Sequence, residues 1–137
     1  MTERKKLGVT APPPVIKGEA VADLESAGFE MQYIAANHGP TYEFWGRLLG
    51  EYSTNNNGRK SKWTELRLWE TPSGKWVTES AGCSDEPGQV DILDASVVNG
   101  ELDGRPMEFQ AMDFWKWSSP AKALAKRLGW DLTVKVD

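Results

Sequence analysis

Four stretches in which apolar and polar residues alternate with period two constrain the fold of this chain more than any other feature. Tyr42, Phe44, Gly46, Leu48, Gly50 and Tyr52 alternate with Glu43, Trp45, Arg47, Leu49 and Glu51, and residues 62–70, 75–82 and 89–98 follow as further strand-like runs. Such alternation sends successive side chains to opposite faces of a sheet. The runs are separated by Asn55-Asn56-Asn57-Gly58, Thr71-Pro72-Ser73-Gly74 and Ser84-Asp85-Glu86-Pro87-Gly88, all rich in turn-forming residues. Gly46 and Gly50 inside the first run mark bulges or a close backbone approach. The pattern predicts an antiparallel β-meander of about four strands.

Helical signals flank the meander. Residues 18–27 carry acids in their first turn and are followed by Gly28, which predicts a short N-terminal helix. Phe29, Met31 and Tyr33 alternate with Glu30 and Gln32 as a strand that ends at Asn37-His38-Gly39-Pro40. Ser119-Pro120 opens the clearest helix, with Ser119 as its cap, Ala121, Leu124, Ala125 and Leu128 as its apolar stripe and Gly129 after its end. Met107-Glu108-Phe109 suggests a short strand, and Leu132, Val134 and Val136 predict a terminal one. Consecutive strands with helices at both ends indicate an α+β domain and not a doubly wound sheet. Residues 1–17, with Pro12-Pro13-Pro14, read as a flexible Pro-rich tail, and 18–137 as a single α+β domain.

Composition limits the chemistry. Seven Trp stand beside one His and one Cys, so neither a disulfide framework nor a Cys/His zinc site is expected, and no cofactor motif is present. His38 lies in turn sequence and Cys83 has no nucleophile signature around it, which favours a protein that is not an enzyme. The N-terminus lacks the apolar core of a secretory signal, and no run approaches the roughly 20 apolar residues of a membrane span. A cytoplasmic location is the resulting expectation.

Two surfaces compete as binding sites. If Glu70 and Lys75 flank their turn, Trp69 lies opposite Trp76; if Tyr52 pairs with Lys62, Trp45 lies opposite Trp69. Trp45, Trp69 and Trp76 would then form one row across three strands, with Arg47 and Arg67 beside it, as a platform for single-stranded nucleic acid or carbohydrate. The same row could instead be core beneath a helix. The second surface comes from charge. The chain is −4 overall, but residues 84–113 hold eight acids against Arg105 alone. Asp85, Glu86, Asp91, Asp94, Glu101 and Asp103 repel phosphate and suit a basic protein surface. The loop Arg59-Lys60-Ser61-Lys62 is the best local feature for nucleic acid, and it is short.

Residues 44–98 carry Phe44-Trp45-Gly46-Arg47-Leu48-Leu49-Gly50-Glu51, Lys62-Trp63-Thr64-Glu65-Leu66-Arg67-Leu68-Trp69, Gly74-Lys75-Trp76-Val77 and Gly82-Cys83-Ser84. This series resembles small accessory proteins of bacterial phages, plasmids and integrated elements. The resemblance implies a mobile-element accessory role, such as inhibition of a host defence enzyme, and brings no catalytic residues with it. The combined expectation is a cytoplasmic interaction protein that binds a basic host protein through its acidic segment.

Overall fold

The computed structural model describes residues 18–55 and 57–137; the expected tail over 1–17 lies outside them. Helix α1 (Gly18–Ser26) ends where Gly28 takes a left-handed φ of 92°, a conformation that favours glycine. Strands β1 (Glu30–Ala35), β2 (Thr41–Ser53), β3 (Lys62–Glu70), β4 (Trp76–Ser84) and β5 (Ile92–Val98) follow, and then helices α2 (Met107–Phe114) and α3 (Ser119–Leu128). The sheet order is β1-β2-β3-β4-β5, each neighbour antiparallel. The expected meander is present with five strands, because the run after Phe29 joins it.

β2 organises the molecule. Its first half pairs with β1 up to Glu30↔Gly46, and its second half pairs with β3 from Arg47↔Glu70 onward. The register slips between Leu48 and Gly50, so Leu49 is an extra residue that bends the strand. Both glycines here sit against close-packed side chains. A Cβ on Gly46 would lie 2.5 Å from the Phe44 ring, and one on Gly50 would lie 2.9 Å from Leu128 Cδ2. The bend folds the β1–β2 hairpin over one face of β3–β5. Asn37 in the hairpin turn then reaches β5, its N–H donating to the Leu93 carbonyl (2.8 Å) and its Oδ1 accepting from the Leu93 N–H (2.6 Å).

The faces separate cleanly. On one, Leu66 and Leu68 are buried against Ala111, Met112, Trp115, Ala121, Leu124 and Ala125 of the helical region, with Tyr52, Trp76 and Trp130 packed at the margin. Fully burying Leu68 or Leu124 contributes about 1.5–3 kcal/mol each. Trp130 stacks on Trp76 (centroids 5.3 Å apart) and on Trp115 (6.4 Å), while the Trp115 indole donates to the Glu79 carbonyl (3.2 Å). On the other face, Ile34 and Phe44 of the hairpin bury Val77 and Ala95, with Trp69 edge-on to Phe44 at 6.2 Å.

The helices correct three local expectations. The cap of α3 is Ser118, one residue earlier than expected, with its Oγ accepting from the Ala121 N–H at 3.4 Å. Residues 107–109 open α2 and are no strand, since extended Pro106 caps a helix with Glu108 in its first turn. Leu132–Val136 forms no strand after α3.

Candidate functional site

The tryptophan row does not form. β3 and β4 pair as Trp69↔Val77 and Glu70↔Trp76, one residue away from the expected register. Thr71 N–H bonds the Lys75 carbonyl, leaving Pro72-Ser73-Gly74 as a three-residue loop with Gly74 at φ 87°. An odd loop of this kind shifts every pair by one and exchanges the faces. Across β2, Trp69 faces Leu48, while Trp45 pairs with Met31 of β1. Trp76 thus belongs to the helix side and Trp69 to the hairpin core. Arg47 and Arg67 do not flank a row: Arg47 pairs with Glu70 and Arg67 with Glu51.

Each of those arginines is committed. Arg47 makes a 2.6 Å ion pair with Glu70, donates to the Ala27 carbonyl (3.1 Å) and lies over the Phe29 ring, which ties α1 to the sheet. Arg67 lies on the half of the inner face that the hairpin leaves open, with Glu65 at 2.6 Å, Glu51 at 3.4 Å and Glu79 at 3.6 Å. Two indoles hold the carboxylates in place: Trp63 donates to Glu65 (2.8 Å) and Trp69 to Glu79 (2.9 Å). The Trp63 hydrogen bond, reinforced by Arg67, holds the Glu65 carboxyl below its ordinary value against the effect of burial. Burial works against the Arg67 charge, and Glu79, Glu65 and Glu51 outweigh it, so its pKa is raised. This network borders a cleft of about 330 Å³ between Glu51, Glu65, Arg67 and Arg127. Each of these side chains has a partner, with one guanidinium shared by three carboxylates, so the cluster works as a structural clasp. Sequence reading missed it because the clasp depends on the register; the i, i+2 spacing of Trp63, Glu65 and Arg67 was the available signal.

The acidic segment has a definite shape. Asp85 and Glu86 lie in the β4–β5 loop, next to Ser61 and Lys62 at the start of β3; Asp91 immediately precedes β5, Asp94 lies within it, and Glu101 and Asp103 lie beyond its end. A seven-residue strand spans about 23 Å, so Asp91, Asp94, Glu101 and Asp103 form a stripe along the outermost strand and not a compact patch, with Asp85 and Glu86 set to one side toward β3. Asp85, Asp91, Glu101 and Asp103 are exposed; Glu86, 3.9 Å from Lys62, and Asp94 are half-buried. Asp103 is displayed at the tip of a two-residue turn closed by paired Leu102 and Arg105 bonds, Asp103 and Gly104 both taking positive φ. The single base of the segment is spent internally. Arg105 grips Asp113 through Nε (2.6 Å) and an η nitrogen (2.7 Å), and this pairing holds the Asp113 carboxyl low.

The remaining chemistry-bearing side chains stand apart. His38 is exposed in the β1–β2 turn, whereas Cys83 is buried in β4, where desolvation, with Glu65 and Asp91 nearby, pushes its thiol up to about 11. Among the described residues no group of three His, Cys, Asp or Glu side chains is placed to hold a metal ion, and no helix is long and apolar enough to cross a membrane. No protein-family model, curated protein or solved structure matches this chain.

Proposed function

We propose that the chain is a non-enzymatic interaction protein that presents its acidic β5 stripe to a basic protein surface. The observation that carries this reading is the exposure of Asp85, Asp91, Glu101 and Asp103, none ion-paired among the described residues, while Arg105 is taken up by Asp113. Charge of one sign along the outermost strand steers a cationic partner and discourages phosphate. A thiol with a pKa near 11 is a poor nucleophile at neutral pH, which also favours binding over catalysis. A nucleic-acid-handling or defence enzyme of a bacterial host, met by a mobile-element protein in the cytoplasm, has the matching basic surface.

The test compares the chain with a variant carrying Asp91→Asn, Asp94→Asn, Glu101→Gln and Asp103→Asn in capture from bacterial lysate. A protein retained by the first and lost by the second, with retention falling as salt rises, is the expected result. Equal retention by both, or no retained protein at low salt, overturns the reading. Binding of oligonucleotide or glycan with quenching of tryptophan fluorescence would favour the alternative ligand class. The dispersal of Trp45, Trp69 and Trp76 gives that alternative no flat row to use.

A further inference from the structure

The chain has two Asn-Gly pairs, Asn57-Gly58 and Asn99-Gly100. In this dipeptide the backbone nitrogen that follows the asparagine can reach its side-chain amide freely, because glycine has no Cβ to shield it. Both pairs lie in loops, both asparagines are exposed, and both glycines take positive φ, 69° and 75°. A Cβ built on either glycine would meet nothing within 4 Å. Steric access is therefore the same at the two sites.

Hydrogen bonding separates them. At the first, Asn57 Oδ1 accepts from the Arg59 N–H (3.1 Å), and the Gly58 N–H donates to the Asn55 carbonyl (3.3 Å). Both reacting groups are held, and these bonds must open before nitrogen can meet carbon. At the second, neither the Asn99 side chain nor the Gly100 N–H has a hydrogen-bond partner among the described residues. Gly100 is fixed through its carbonyl instead, which accepts from Gln110 Nε2 at 2.9 Å.

We propose that Asn99-Gly100 is a self-modification site at which the side-chain amide is lost, while Asn57-Gly58 is protected in the folded chain. The Gly100 nitrogen, having given its proton to a solvent base, attacks Asn99 Cγ. The N–Cγ bond forms, the Cγ–Nδ2 bond breaks, and Nδ2 takes up a proton and leaves as ammonia. Water then opens the cyclic imide: attack at Cγ leaves aspartate, and attack at the main-chain carbonyl carbon leaves isoaspartate. Either product adds one negative charge beside Glu101, at the far end of the acidic stripe, to a chain that already carries −4. The chemistry holds whether or not that stripe meets a basic partner.

Ageing the full chain in neutral and in mildly alkaline buffer tests it, with sites assigned from peptide fragment spectra. Asn99 is expected to gain the mass that separates –OH from –NH2, and to do so faster at the higher pH. Two ordinary hydrogen bonds guard the other site, so Asn57 should lag about tenfold or more. Unfolding in urea should bring the two rates together. Asn99→Gln should abolish the acidic isoform that ageing produces on isoelectric focusing, and Asn99→Asp should carry that isoform from the start. An Asn57 that keeps pace with Asn99 in the folded chain overturns the proposal. So does an Asn99 that stays intact while the chain is folded.

Discussion

On the helix side of the sheet, Leu66 and Leu68 meet Met112, Leu124 and the stack of Trp76, Trp130 and Trp115. On the inner side, the residues between and beside them, Glu65, Arg67 and Glu79, meet one another. The two sets come from the same strands, one residue apart, so strand propensity is common to both. What differs is the cover. Two helices seal the first surface over Leu66, Leu68 and Thr78 and stop short of Gly82 and Ile92, whereas the hairpin packs on Val77 and Ala95 and leaves Arg67 partly exposed. Where the cover stops, carboxylates and a guanidinium replace leucine, because a charge that keeps some contact with water is far less costly than one without it. Glu79 lies at the boundary, 7% exposed yet bonded to both Trp69 and Arg67.

Substitutions can break this contrast, and the sealed side should show the largest effect. Leu68→Ala removes a fully buried side chain and should cost about 2–5 kcal/mol in urea unfolding; a loss below 1 kcal/mol would mean that the helices do not seal that face. Next comes the clasp: Arg67→Met leaves three carboxylates without their cation and should cost about 1–3 kcal/mol near neutral pH. The pH dependence has a definite sign. Glu65 is held below its ordinary value in the folded chain, so its stabilisation is present above the unfolded carboxylate pKa and is lost as the pH falls through the folded one. The difference between wild type and Arg67→Met should therefore shrink below about pH 4, as the carboxylates protonate. Unfolding curves measured between neutral pH and pH 3 read this directly.

Smaller effects belong to the joint between the two regions and to its rim. Gly50→Ala presses a methyl group on the flexible end of Leu128 and should cost about 1 kcal/mol, measured by thermal unfolding. Glu70→Gln removes an exposed ion pair while Arg47 keeps its bond to Ala27 and its place over Phe29, so about 0.5 kcal/mol or less is expected.

Much of this architecture was legible in the residues. Alternation located the strands, Gly28 and Gly129 marked helix ends, and Gly46 and Gly50 announced the bend in β2. Register was not legible, since it depends on backbone conformation inside loops. Thr54 N–H bonds the Thr64 carbonyl and closes the β2–β3 loop at a point that its length does not specify, and Gly74 makes the next loop odd. The second loop decides whether Trp69 faces Trp76 or Val77 and the first sets its partner in β2, and so together they decide whether a row of rings or a charged clasp results. The acidic stripe needed no register, which is why its residues kept the place along the chain that composition gave them. The alternation over 132–136 predicted a terminal strand that does not form, because no described strand pairs with it.

The bond pair between Asn37 and Leu93 has a kinetic consequence. These residues are 56 positions apart, whereas the pairings within β1–β5 are all made by hairpins between neighbours in the chain. Local hairpins close at a lower entropic cost than this long loop, so the meander zips first and the hairpin docks last. Asn37→Ala should then accelerate unfolding in stopped-flow experiments and leave the folding limb unchanged. The docking of Asn37 on Leu93 acts as the lock that sets how long the folded molecule lasts, with little influence on how quickly it is made.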